Sequence, residues 1–371
     1  MTTVASIIGL PEPKKGDVGM ELEVEGLRPL PQINEKKWRS KEDGSLRGYS
    51  MEYYNSEPVR TGDTLHPRIK YLTDKLAEPE LGVYRDSPRT SFHVHNNVSG
   101  FTPVQVWTSA AAFWLLENLL VKFCDAGSQT REGNCFCLRL ADAEASMPYL
   151  LKDLKQPQHP FLNCDNDRIR YMGLNLSAVR RFGSLETRTM RGTVDPDVLA
   201  MWAQENFKLI STAPNFFISP AHLLDEHHRQ GSEAIMSMLL SPEFVRVLTQ
   251  YPDWKESIEE NAGLLCELAY FHDWGRYSDR VDKLHEGAIR EAPALRARAR
   301  PRDVEGGVLN NLFAAADNAP GLRRAAEAPR EPEPVRWFNL PLGMVAEFQQ
   351  HLDQYEVRQR PDGPWEFRDI A

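Results

Sequence analysis

"MELEVEG", residues 20–26, is the stretch on which the reading of this chain turns. Side chains alternate across a β-strand, so Met20, Leu22 and Val24 point to one face and Glu21, Glu23 and Glu25 to the other. A half-buried antiparallel strand with a solvated outer face alternates in this way. Glutamate is a poor strand former, however, and three like charges two residues apart repel one another. The second reading is a carboxylate-lined face that holds metal ions, and it needs partners elsewhere in the chain.

The whole chain narrows the choice. Its 371 residues suffice for one large core or two ordinary ones, and 41% hydrophobic with 26% charged residues is a globular composition. A net charge of -9 without a long basic run argues against a nucleic-acid binder that works by neutralising phosphates. The cysteines (Cys124, Cys135, Cys137, Cys164, Cys266) are odd in number, and "CFC" does not have a structural zinc spacing, so buried thiols in a reducing compartment are expected. The N-terminus "MTTVASIIGLPEPKKGD" lacks the basic start and apolar run of a signal peptide. "VWTSAAAFWLLENLLVKF" contains Glu117, Asn118 and Lys122 and reads as a buried helix rather than a membrane span. A cytoplasmic protein with no membrane or nucleic-acid partner is the expectation.

Along the chain, residues 17–60 read as strands and turns, with a turn at Asp43-Gly44. A helix is expected from about Pro67 to Lys75, then a strand in "RTSFHVHNNVS". "TPVQ" opens the apolar helix, with Thr102 as cap, Pro103 at the first position and Gln105 completing a capping box. "RYMGLNLSAV" and "GSLETRTMRG" are expected as two strands, and "DPDVLAMWAQENFKLI" as a helix capped by Asp195 with Val198, Met201, Trp202 and Leu209 on a common face. This order predicts an α+β fold, a largely antiparallel curved sheet with helices packed on one face.

The expected organisation is a leader over 1–16 and a catalytic domain over 17–285, with its sheet core in 17–215 and a helical part in 216–285. An Ala/Arg/Pro-rich linker or appended helices over 286–335 and a C-terminal segment docking back over 336–371 complete it. Around Trp337 and Phe338 two roles stand open: completing the site, or contact between copies in a homo-oligomer.

Four further signals bear on the glutamates. "DGSL" is a turn with an acid and a hydroxyl, Ser45. "SFHVHNN" sets His93 and His95 on one strand face with Phe92 and Val94 on the other, a spacing that lets both imidazoles address one ligand, a metal or a phosphate, where the plain alternative is a pair with no ligand. "SLETRTMR" puts Glu186 beside Arg188, where the plain alternative is a cross-strand ion pair. Glu52 lies among aromatics in "SMEYYNSEP", where an unpaired carboxylate would be costly.

The order E-x-E, D-G-S, E, H-x-H, then E-x-R before a capped helix resembles the amidoligase family of carboxylate-amine ligases. These share the glutamine-synthetase-like fold with glutamine synthetase and the glutamate-cysteine ligases. The matching stretches are "GMELEVEG", "DGSLRGYSMEYYNSEP", "SFHVHNNV" and "RYMGLNLSAVRRFGSLETRTMRGTVDPDVLAMW". The likeness implies ATP-dependent amide formation through an acyl phosphate, with ATP and two or more Mg2+ ions as cofactors and an amine and a carboxylate, small or peptidic, as substrates. It implies Glu21, Glu23, Glu52 and Glu186 as metal ligands with His93 as a nitrogen ligand. His95 would face phosphate or the substrate carboxylate, and Arg188 would offset charge on the transferring phosphoryl group. Ser45, Arg131 and Arg170 are the nucleotide or substrate contacts in this reading. "EYYNSEP" departs from the family pattern and leaves Glu52 and Glu57 both open as the ligand. The alternatives are a phosphotransferase of the guanidino-kinase kind on a related sheet, and a catalytically degenerate binding or scaffold protein.

Overall fold

The computed structural model describes residues 2–35, 37–55, 57–77, 84–85, 87–125, 130–143, 146, 150, 161, 164, 167–272, 338–339, 355–359 and 365–369. The chain divides into two compact units, Met1–Leu309 and Asn310–Ala371. The first is built on one antiparallel sheet of β1 (Val18–Gly26), β2 (Arg39–Lys41), β3 (Tyr49–Tyr54), β4 (Tyr84–Arg85), β5 (Ser91–Asn97), β6 (Leu174–Asn175) and β7 (Ser184–Arg191), in the order β2-β3-β1-β5-β7-β6 with β4 also on β1. The fold class is thus α+β, as the element order implied.

The period of two read from "MELEVEG" holds. Met20, Leu22 and Val24 are buried, and the pairing sets Leu22 beside Tyr53 and Phe92, and Met20 beside Val94. Behind this apolar face lie the helices Pro103–Cys124 and Pro196–Phe216, with Leu65–Ala77 against the latter and Trp254–His272 against the former. Both sequence-read caps form: Thr102 and Gln105 make the capping box, and the Asp195 side chain accepts from the amides of Asp197 and Val198. Each such cap stabilises its helix by about 1 kcal/mol. Helix Pro103–Cys124 is long and apolar enough to cross a bilayer, yet its most apolar window is 94% buried inside the protein, as befits a core helix.

The structure corrects three expectations. Of the expected face of Pro196–Phe216, Trp202 and Leu209 are buried, together with Leu199, Ala200, Ala203, Glu205, Asn206, Ile210 and Ala213, whereas Met201 is exposed and Val198 half-buried, because the helix turns a face centred about one position away toward its neighbours. "RYMGLNLSAV" is a strand only at Leu174–Asn175. The Asn175 carboxamide oxygen accepts from the Ser177 amide and hydroxyl at 2.9 and 2.6 Å, starting a helical turn, Ser177–Phe182, that ends at Gly183 with φ 68°. The expected leader is tied down: Val4 and Ala5 are buried and donate to the Phe101 and Ser99 carbonyls, both at 2.8 Å.

After the sheet come the helices Pro220–Gln230, Ser232–Leu239 and Pro242–Leu248, then Trp254–His272. The expected 286–335 linker lies outside the described residues. In the second unit β8 (Phe338–Asn339), β9 (Tyr355–Gln359) and β10 (Trp365–Asp369) form a three-stranded antiparallel sheet in the order β8-β10-β9. Trp337 lies outside the described residues.

Candidate active site

Directly opposed residues of antiparallel strands share a face. Glu21 stands opposite His93, Glu23 opposite Glu52, His95 opposite Glu186, Glu186 opposite Asn175, and Lys41 opposite Glu52. One face of β1, β3, β5 and β7 therefore collects Glu21, Glu23, Glu52, His93, His95, Glu186 and Arg188. Between Phe92↔Met190 and Val94↔Thr187 the register slips by one residue on β7, a bulge beside Arg188.

The distances are those of a ligand cluster. His93 Nδ1 lies 3.4 Å from both Glu21 Oε2 and Glu186 Oε1, and His95 Nε2 lies 3.2 Å from Glu21 Oε1. Ligating atoms of Glu21, His95 and Glu186 all fall within 4.8 Å of one another. His95, expected to face phosphate or substrate, thus stands in the cluster as closely as His93. Arg188 Nη1 donates to Glu186 Oε1 at 2.5 Å, and Asn175 donates to Glu186 Oε2 at 2.6 Å. The ion pair is within one strand, not across two; the cross-strand partners of Glu186 are His95 and Asn175.

Hydrogen-bond arithmetic orients His93. The Ser91 hydroxyl donates its single proton to Glu23 Oε2 and lies 2.6 Å from His93 Nε2. With that proton on the Glu23 carboxylate, Ser91 accepts from His93 Nε2–H, and the ring is held with Nδ1 turned toward Glu21 and Glu186. Side chains that fix a metal-binding histidine in this way are a regular part of such sites.

Charge is balanced inside the cluster. Burial alone would lift the Glu21 carboxyl, but the His95 charge and hydrogen bonds from both histidines hold it well below the usual range. Burial likewise works against Glu186, which Arg188 and the histidines keep low. Burial disfavours the charged form of His95, yet Glu186 and Glu21 raise it to about 9. Glu52 is lifted by burial and by the Glu21 charge, against Lys41 Nζ at 2.8 Å. Oxygen-rich, with imidazole nitrogen added, the donor set suits a hard divalent cation.

Other expected residues separate from these. Glu52 is buried on β3 while Glu57 is exposed beyond the strand, so Glu52 is the carboxylate of the cluster. Glu25 is buried, but its Oε1 accepts the Arg47 amide at 2.9 Å, away from the histidines. Arg131 is a correction: its guanidinium is buried and donates to the carbonyls of Thr189, Arg188, Thr90 and Pro88, so it braces the backbone behind the site. Ser45 and Arg170 do line a cleft of about 240 Å³, along with Glu23, Glu52, Arg89 and Arg188. In its turn the Ser45 amide and hydroxyl both donate to Asp43 Oδ1.

Lys41, Ser91 and Asn175 were missed by sequence reading. Ser91 had a signal, since S-x-H-x-H continues the alternation that placed both histidines on one face. Lys41 and Asn175 had none, because each reaches the cluster only through cross-strand pairing.

Residues 40–210 match the model of a family described as "Putative amidoligase enzyme". That segment belongs to the amidoligase family. It carries Glu52, His93, His95, Glu186 and Arg188, while β1, which supplies Glu21 and Glu23, precedes the amidoligase match and enters the cluster through its register with β3 and β5. No curated protein matches the chain.

Proposed function

We propose that the protein is an ATP-dependent carboxylate-amine ligase that makes an amide bond through an acyl phosphate, on a sheet of the glutamine-synthetase-like type. One observation carries this reading: four carboxylates, two imidazoles and an arginine meet on one sheet face, and all but β1 lie within an amidoligase segment. Glu21, Glu23, Glu52, Glu186 and His93 would hold Mg2+, which supplies neutralising charge to a transferring phosphoryl group.

The cleft of about 240 Å³ suits the nucleotide. Arg188 and Arg170 offer planar cations to phosphate oxygens, and Phe136 and Tyr171, edge to face at 6.4 Å, offer an aromatic surface to a base. A substrate carboxylate oxygen attacks the γ-phosphorus, the bond to the β,γ-bridging oxygen breaks, and ADP leaves. An amine nitrogen then adds to the acyl carbon, the carbon–oxygen bond to phosphate breaks, and the nitrogen's proton passes to the released phosphate. Arg188, fixed by Glu186, offsets charge growing on the phosphoryl oxygens.

The test is phosphate release from Mg-ATP across pairs of carboxylates and amines, with calorimetry of Mg-ATP binding. The ligase reading expects nucleotide binding abolished by EDTA and phosphate release that requires the amine. No nucleotide binding at millimolar Mg2+ would sink it, and transfer that stops at a phosphorylated product would make the protein a kinase.

A further inference from the structure

A second cleft, of about 290 Å³, opens at the other end of the same stretch of β1: Gly19 and Met20 line it, Glu23 lines the arginine-bearing cleft, and Glu21 belongs to both. If phosphate arrives through the first, as the ligase reading on which this inference rests requires, the acceptor carboxylate comes from the second.

The walls of this cleft are mainly carbon, from Tyr54, Pro58 and Phe182. Gly19 lets β1 lie close against His95 on the cleft's wall, since a Cβ there would come within 3.3 Å of the His95 Cβ. Most polar groups on the lining are already engaged. The Asn55 carboxamide is bonded to the Met20 amide and the Glu57 carbonyl, and that of Asn97 to the Lys14 and Gly16 carbonyls and to Ser99. The Ser184 hydroxyl meets His95 Nδ1 at 3.1 Å. At the Glu21 end stands His95 Nε2, buried and paired with Glu21 Oε1 at 3.2 Å without a well-aligned hydrogen bond, and the Lys14 ammonium also lines the cleft. Phe182, half exposed, stands edge-on to the His95 ring at 5.6 Å.

We propose that this cleft binds the acyl substrate, and that the substrate is a monocarboxylic acid on an apolar aromatic or branched body. Its carboxylate meets His95 beside the metal-binding carboxylates, and its body lies against Phe182, Tyr54 and Pro58. A dicarboxylic amino acid fits less well: among the described residues no arginine lines this cleft to fork its second carboxylate, which has Lys14 as its cation beside His95. An unpaired charge set against carbon walls is costly.

The test is calorimetry on the full chain with Mg2+ and a non-hydrolysable ATP analogue, titrating 3-phenylpropionate, 4-methylpentanoate, glutarate and glutamate. The two apolar acids are expected to bind about 10-fold or more tightly than glutarate and glutamate. Phe182→Ala should weaken 3-phenylpropionate by about 10-fold, the scale of one buried ring, and leave affinity for the analogue unchanged. Equal or tighter binding of glutarate or glutamate, no binding of the apolar acids, or an indifferent Phe182→Ala would each overturn the proposal. Binding of the analogue is scored separately: its presence with the wrong acid preference leaves the ligase reading standing without this inference, and its absence removes the ligase reading.

Discussion

Two buried carboxylates, one on each side of the sheet, behave in opposite ways. Glu186 faces Arg188 and two histidines and is held ionised against burial. Glu117, within the core helix Pro103–Cys124, is pushed up to about 8 by burial, relieved only in part by the Leu140 amide at 2.7 Å and the more distant Arg139. Gly173 packs so closely that a Cβ there would come within 2.7 Å of Glu117 Oε1. Burial by itself therefore does not make a carboxylate functional here; the cations arranged around it do.

The largest effect tests the ionised member. Arg188→Ala removes the partner of a buried charge and should cost about 3–5 kcal/mol in chemical denaturation of the metal-free protein. The milder Arg188→Lys keeps the charge without the planar fork and should slow phosphate release by about 100-fold with little change in Mg-ATP affinity. Unchanged turnover in either variant would reduce the pair to a structural contact.

Glu117→Gln tests the other member. A folded pKa of about 8 above an unfolded value near 4.5 means that the native state binds more protons in that window, so stability falls as pH rises through it and levels off above the folded value. The variant should be more stable than the parent at pH 8, by about 2–4 kcal/mol at roughly 1.4 kcal/mol per unit, with no difference near pH 4. Denaturant melts at the two pH values check this, and a pH-independent difference would break the contrast.

A sharper comparison lies inside the cluster. Repulsion among the carboxylates of the E-x-E stretch would by itself make Glu21→Gln neutral or stabilising, but the histidines hold Glu21 ionised. Its contribution is present above the unfolded pKa and is lost as pH falls through the depressed one. Glu21→Gln should thus destabilise the metal-free protein by about 1 kcal/mol at pH 7, whereas Glu52→Gln, at a site lifted by burial and by Glu21, should be neutral or stabilising. Thermal melts in EDTA read both, and equal shifts would refute the distinction.

The last test concerns Ser91 and reads affinity for a cation rather than stability. Loss of its bonds to Glu23 and His93 in Ser91→Ala should weaken divalent-cation binding by about 10-fold, and Ser91→Thr should restore it. Calorimetry with Mn2+ measures this without turnover, and unchanged affinity would show that the His93 ring needs no such hold.

Much of this protein was legible in the order of its residues. Alternation with period two placed Glu21 with Glu23, His93 with His95, and Glu186 with Arg188, because side-chain direction along a strand is a local property of the backbone. The Thr102 and Asp195 caps were legible for the same reason, since donor and acceptor lie within three residues. Tertiary structure alone decided which strands pair and in what register: Glu23 beside Glu52, Glu21 beside His93, and Arg131 turned onto backbone carbonyls behind the site. Ladder hydrogen bonds are the same for any residue, so register is chosen by the burial of the whole apolar face, which no single stretch of the chain contains.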